Sequence, residues 1–122
     1  VDCGEVTPPM ADTLPSIGMT FGEAADIILR RLKSDLRLKP RTKAKRRERI
    51  RAIQKSWDGI YELDIRRIRP AECQKWAKQF QGQVDAGTFN ETLEMMNAIF
   101  NLAEGMGLKM KNPASGIKPL PI

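Results

Sequence analysis

Apolar side chains recur three and four positions apart between Thr20 and Leu38, the spacing that places them on one face of an α-helix. That face contains Phe21, Ala25, Ile28, Leu29, Leu32 and Leu36. Thr20 and Glu23 have the hydroxyl-then-glutamate spacing of a capping box, which marks a helix start. The pattern therefore predicts an amphipathic first helix that begins at Thr20 and ends near Leu38.

A second helix is predicted after Pro40, a residue that suits the first turn of a helix and disfavours helix at the preceding Lys39. Its apolar face is thin in the first half, where almost every residue is Lys or Arg, and stronger towards its end near Trp57. Ile50 and Ile53 are core candidates together with Trp57. The basic half is therefore expected to project beyond the core.

A turn at Asp58-Gly59 ends the second helix, and a short connection follows from Ile60 to Ile68. The connection contributes three core candidates, Leu63, Ile65 and Ile68. Pro70 then opens a third helix, whose start relies on the proline because Arg69 is a poor N-cap. The buried face of that helix contains Cys73, Trp76, Ala77 and Phe80. A polar loop is expected from Gln81 to Gly87.

The fourth helix has the strongest signal in the chain. Thr88 and Glu91 repeat the capping-box spacing, which predicts the helix start at Thr88. Its apolar stripe contains Phe89, Leu93, Met96, Ile99, Phe100 and Ala103. Gly105 and Gly107 end the helix. The tail from Ala114 to Ile122 has no core pattern.

These elements predict an all-α fold, a compact four-helix bundle with flexible N- and C-terminal tails. A chain of 122 residues holds one domain of this kind. We expect residues 1–18 to form an arm or linker, residues 19–113 the helical domain, and residues 114–122 a linker. No apolar stretch approaches the roughly 18 residues that span a bilayer, and no leader pattern is visible, so we expect a soluble cytoplasmic protein.

The residues that most catalytic schemes require are scarce. The chain has no histidine and one tyrosine, Tyr61, so the usual general bases and nucleophiles are lacking. Cys3 and Cys73 give neither a disulfide framework nor a metal-ligand spacing, and Cys73 is expected to be structural. We find no phosphate-binding glycine loop. The sequence therefore predicts no active site, cofactor or metal within this chain.

Positive charge is concentrated in one part of the chain. Twelve of the 21 basic residues lie between Arg30 and Arg51, together with only two acidic residues. Cations at a helix start oppose the helix dipole, a conflict that phosphate groups relieve. The density and single sign of the charge favour a nucleic-acid interface over a solvated charged face. The candidates on the second helix are Lys39, Arg41, Thr42, Lys43, Lys45, Arg46 and Arg49.

The fourth helix carries polar side chains beside its apolar stripe. Asparagine can read adenine edges in the major groove, and Thr88 and Asn90 are candidate DNA contacts. Capping is the simpler role for Thr88, and solvation the simpler role for Asn97 and Asn101. The helical spacing of the Trp and Phe side chains indicates core positions rather than stacking platforms for single-stranded bases.

The order of several short motifs resembles the SAM-like, four-helix core-binding domain of phage-type tyrosine recombinases (integrases). The resemblance covers residues 20–117, most of the chain. The motifs are Thr20-Phe21, Leu38 to Thr42, Leu63 to Ile65, Ile68 to Pro70, Thr88 to Leu93, Ile99 to Ala103, and Gly107 to Pro113. Each motif is weak alone, whereas their order and spacing together are fairly specific.

The resemblance implies a module that clasps one face of duplex DNA at a recombination site, with the second and fourth helices near the major groove. The residues that match the family's DNA-facing positions are Arg41, Thr42, Lys43, Lys45, Arg46, Thr88 and Asn90. The family's histidine and tyrosine nucleophile belong to a following catalytic domain, so this chain alone is not expected to exchange strands. The parent protein would be a site-specific recombinase that can self-associate on DNA.

Two departures from the family pattern stand out. Arg47 occupies a usually apolar or aromatic position, so the second helix sits less deeply or Arg47 itself reaches DNA. Arg69 replaces the customary hydroxyl cap of the third helix.

Two other function classes stay open. The chain could be a protein-interaction module, in which the basic helix docks on an acidic partner or the bundle surface joins neighbouring protomers. It could also be a free-standing RNA-binding or regulatory helical protein.

Overall fold

The computed structural model describes residues 18–122, and this part of the chain is all-helical, as the sequence predicts. Its four α-helices are α1 (Phe21–Ser34), α2 (Pro40–Ser56), α3 (Pro70–Phe80) and α4 (Ala86–Gly105). Two short 3-10 turns, Ile60–Glu62 and Ile65–Arg67, connect α2 to α3. Most of the predicted N-terminal arm, with Cys3, lies outside the described residues.

Helix α4 is the centre of the bundle and packs against both α1 and α2. Its predicted apolar stripe is confirmed, since Phe89, Leu93, Met96, Ile99, Phe100 and Ala103 are all buried. Thr92 is a buried polar residue on the same helix, and its hydroxyl donates to the Thr88 carbonyl at 2.7 Å. The internal hydrogen bond removes the cost of burying that hydroxyl.

The capping box predicted at the start of α1 is confirmed. The Glu23 amide donates to the Thr20 hydroxyl at 3.1 Å, and the Thr20 amide donates to the Glu23 carboxylate at 2.8 Å. Gly22 is required one residue into the helix, because a Cβ atom there would lie 2.9 Å from the Tyr61 carbonyl oxygen. This close approach brings the first 3-10 turn against α1.

The end of α1 differs from the prediction. The helix stops at Ser34 rather than near Leu38, because Asp35 turns the chain and its carboxylate accepts the Arg37 amide at 2.9 Å. Leu36, expected on the buried face, is therefore 96% exposed. In the connection after α2, Ile65 and Ile68 are buried as predicted, whereas Leu63 is 40% exposed.

The aromatic side chains of α2, α3 and α4 form one packed group. Trp76 lies between Trp57, Phe80 and Phe89, with ring centroids 5.1–6.5 Å apart. The Trp76 indole N–H donates to the Ser56 hydroxyl at 2.8 Å, which satisfies its polar end. Cys73 is buried nearby, and burial raises the pKa of its thiol to about 12, as expected for a structural cysteine.

Helix α4 starts earlier than predicted, and its cap is a different residue. Asp85 is the N-cap, and its carboxylate accepts the Thr88 amide at 2.7 Å. Thr88 therefore lies within the first turn, and the assignment of Thr88 as the cap is wrong. At the start of α3, Arg69 makes no side-chain cap, as predicted, and its amide donates instead to the Glu72 carboxylate at 2.9 Å.

The C-terminal segment packs on the bundle, where the sequence predicts a tail without core contacts. Ala114 is fully buried, and Ile117 and Leu120 pack partly against the core. The side-chain Nδ2 of Asn112 donates to the side-chain oxygens of Asn97 and Asn101 at 2.9 and 3.1 Å. Polar side chains therefore hold a segment in which no apolar periodicity is visible.

No helix within residues 18–122 combines the length and the hydrophobicity that crossing a bilayer requires. Within the same range, no group of three or more Cys, Asp and Glu side chains is arranged to hold a metal ion.

Candidate nucleic-acid interface

Helix α2 begins with positively charged side chains and has no acidic side chain in its first turn. We call residues 39–49 the basic segment. Lys39 is the N-cap residue and makes no side-chain cap, and the first turn contains no acidic residue. Lys39 and Arg41 are exposed, and neither forms an ion pair within residues 18–122. The positive end of the helix dipole adds to these charges.

Lys43 has a structural contact that the sequence does not reveal. Its ammonium group donates to the Lys33 carbonyl oxygen at 3.0 Å, in the last turn of α1. A cation at this position satisfies a terminal carbonyl and complements the negative end of the α1 dipole. Lys43 is half-buried, so part of its binding capacity is already used within the protein.

A groove between α2 and α4 collects most of the remaining candidates. This α2–α4 groove has a volume of about 210 Å³. It is lined by Thr42, Lys45, Arg46, Arg49, Glu91, Glu94 and Met95. Four of these residues belong to the basic segment, so the groove presents their donors beside two carboxylates of α4.

Glu91 bridges two of the cations in the α2–α4 groove. Its carboxylate contacts the Lys45 ammonium at 2.8 Å and the Arg49 Nε atom at 2.9 Å. The hydrogen bond from Lys45 is the main cause that lowers the pKa of Glu91, and Arg49 adds to it. The Lys45 side chain is 53% exposed and that of Arg49 only 19%. Arg49 is therefore chiefly a link between α2 and α4.

The opposite side of α2 forms a second basic concavity, which we call the α1–α2 cleft. It has a volume of about 340 Å³ and is lined by Asp26, Leu29, Arg30, Lys33 and Arg47. Arg47 is exposed at its edge. An arginine fits here because the cleft is open to solvent and not part of the core. Arg30 and Lys33 extend the positive surface onto α1 and were not among the predicted contacts.

The two candidates on α4 do not join the basic segment in one site. Neither Thr88 nor Asn90 lines the α2–α4 groove. The Asn90 amide nitrogen donates to the Leu120 carbonyl at 2.9 Å, and its oxygen accepts the Leu120 amide at 2.7 Å. Both ends of this side chain are therefore engaged by the C-terminal segment. Thr88 is half-buried beside its capping residue Asp85.

The exposed donors of this surface suit a polyanion, because lysine and arginine neutralise phosphates and a threonine hydroxyl donates to phosphate oxygens. No protein-family model, curated protein or solved structure matches this chain. The chemistry and geometry of the surface therefore carry the functional conclusion.

Proposed function

We propose that this chain binds duplex DNA through the basic segment and the two concavities beside it. The observation that supports the proposal is the exposed positive charge at the start of α2, where Lys39 and Arg41 have no carboxylate partner among residues 18–122. Such an arrangement costs energy through charge repulsion and an opposed helix dipole. Phosphate groups remove both costs.

Most of the affinity is expected to come from phosphates. Lysine and arginine neutralise phosphates of the DNA backbone and so release counterions condensed on the DNA. This contribution carries no sequence information. Base contacts by a domain of this size are few, so discrimination among sequences is modest. Binding should consequently be weak and fall steeply as salt increases.

We also propose that the chain is the core-binding domain of a phage-type tyrosine recombinase, acting in the cytoplasm. The motif resemblance over residues 20–117 and the all-α four-helix fold support this assignment. In this proposal the histidine and tyrosine of strand exchange are supplied by another part of the parent protein. In the same proposal, this chain binds the DNA of the recombination site.

The proposal is tested by fluorescence anisotropy with a labelled random duplex at several salt concentrations. We expect Arg41→Gln and Lys39→Gln to weaken binding, and each to reduce the slope of log affinity against log salt by about one. Lys55→Gln is the matched control, because it removes one exposed charge from the last turn of the same helix.

Three outcomes are decisive. A loss confined to Arg41→Gln and Lys39→Gln supports the proposed interface. An equal loss in Lys55→Gln would mean that only overall charge matters, and the assignment to the start of α2 would be wrong. No binding by the unsubstituted protein, even at low salt, would refute DNA binding by this chain.

A further inference from the structure

Glu91 is one of two acidic side chains in a groove whose other charged residues are cations. Its two carboxylate oxygens contact different cations, Oε2 the Lys45 ammonium and Oε1 the Arg49 guanidinium. Glu94 lines the same groove one turn later and makes neither contact. Among residues 18–122, Glu91 therefore holds two cations in this groove, and Glu94 forms no ion pair.

Glu91 and an approaching phosphate compete for the donors of Lys45. A lysine ammonium is a compact charge whose donors must be shared between all its partners. Because the Lys45 side chain is half exposed, it is the cation of the pair that DNA can reach. A phosphate that binds there must displace Glu91 or lie beside its negative charge, and both choices cost free energy.

We propose that Glu91 is a specificity-determining residue. It competes with DNA phosphates for Lys45 and so weakens binding that depends on phosphate contacts alone. The inference rests on the proposed DNA binding. Selective proteins commonly contain such a repulsive element, because specificity is a difference of affinities. Nonspecific binding depends almost wholly on phosphates, so it loses most from this competition.

The experiment compares Glu91→Gln with Glu94→Gln in the full chain, using a random duplex over a series of salt concentrations. Both variants remove one negative charge from the same groove, and the glutamine introduced by Glu91→Gln keeps an oxygen that can accept from Arg49. We expect Glu91→Gln to tighten binding several-fold more than Glu94→Gln. It should also steepen the salt slope by about one, because Lys45 becomes an additional phosphate contact.

A double-substitution cycle isolates the role of Lys45. In a Lys45→Gln background, Glu91→Gln should bind DNA no more tightly than Glu94→Gln does. With Glu91 intact, Lys45→Gln should weaken binding less than Arg41→Gln, because Lys45 is already occupied. Thermal unfolding of each variant shows which proteins are folded, and the Lys45→Gln comparison tests the inference even if Glu91→Gln is unstable.

The outcomes separate the inference from the proposed function. If the unsubstituted chain binds DNA and the two glutamine variants tighten binding equally, Glu91 contributes only general charge and the inference is wrong. Weaker binding by Glu91→Gln would mean that Glu91 positions Lys45 and Arg49 for DNA, which also overturns it. Absence of binding by every variant would refute the proposed function itself.

Discussion

The Lys43 ammonium on α2 donates a hydrogen bond of 3.0 Å to the Lys33 carbonyl oxygen in the last turn of α1. One side chain of the basic segment therefore closes the end of the preceding helix. Arg41, two positions earlier, is exposed and makes no such contact with residues 18–122. The two cations thus differ in their contacts with the rest of the protein, and separate substitutions can distinguish them.

Lys43→Met should lower the free energy of unfolding by about 0.5–1 kcal/mol, because it removes a cation from a helix C-terminus. Arg41→Met should change it by less than about 0.5 kcal/mol, as is usual for an exposed side chain. Urea denaturation followed by tryptophan fluorescence measures both. Equal stability of the two variants would show that the contact between α1 and α2 contributes nothing.

The N-cap of α4 gives a second test. Asp85→Ala should destabilise the protein by about 1 kcal/mol, since it leaves the Thr88 amide without its acceptor. The bond from the Thr88 amide lowers the pKa of Asp85, so the cap is expected to persist in mildly acidic solution. Thr88→Ala keeps its own amide and should cost less. The reverse order in urea denaturation would restore Thr88 as the cap.

The two capping-box spacings explain what sequence can and cannot predict here. Thr20 and Glu23 form the predicted box, because the Glu23 carboxylate accepts the Thr20 amide. Thr88 and Glu91 have the same spacing, but Glu91 contacts two cations of α2 instead. The spacing therefore marks the true cap at Thr20 but not at Thr88, where Asp85 caps the helix. Tertiary packing decides which partner such a carboxylate takes.

The candidate site has the same limit. The excess of Lys and Arg identifies α2 as the candidate contact element from composition alone. Which of these side chains is already engaged depends on partners distant in the sequence. The Lys33 carbonyl accepts the Lys43 ammonium from ten positions away, and the Leu120 carbonyl accepts the Asn90 side chain from thirty. No pattern of spacing or charge indicates such contacts, so the ion pairs of Glu91 and the packing of the tail could not be predicted.

The pairing of Asn90 with Leu120 predicts a local effect on the C-terminal segment. Asn90→Ala removes both side-chain bonds to the Leu120 backbone. We expect the Leu120 amide to lose protection in hydrogen exchange, and the free energy of unfolding to fall by about 1–2 kcal/mol. Gln79→Ala, an exposed substitution on α3, is the control. Unchanged exchange at Leu120 in Asn90→Ala would contradict the anchoring role.

The same variant also tests the predicted DNA contact of Asn90. If Asn90 reads a base, Asn90→Ala should weaken binding to one target sequence more than to random duplex. If it anchors only the tail, binding to both should change equally. Protection of the Leu120 amide and sequence preference are independent readouts, so one variant distinguishes the predicted role from the observed contact.

The ion pairs of Glu91 should make stability depend on pH. The hydrogen bonds from Lys45 and Arg49 lower the pKa of Glu91 in the folded protein below its ordinary value of 4.5. A lowered pKa means that the unfolded chain binds the proton more tightly than the folded one. The contribution of Glu91 is therefore complete above the unfolded pKa and is lost as the pH falls through the folded pKa.

Urea denaturation of the unsubstituted protein, Glu91→Gln and Lys45→Gln between pH 7 and pH 2 tests this dependence. Each variant should be less stable than the unsubstituted protein at neutral pH, and both differences should shrink below about pH 4.5. Asp64 also has a lowered pKa through its bonds to Arg66, so all three proteins lose stability in acid. Only the differences between them report on Glu91. Differences that stay constant across the range would show that the folded and unfolded states bind the Glu91 proton equally.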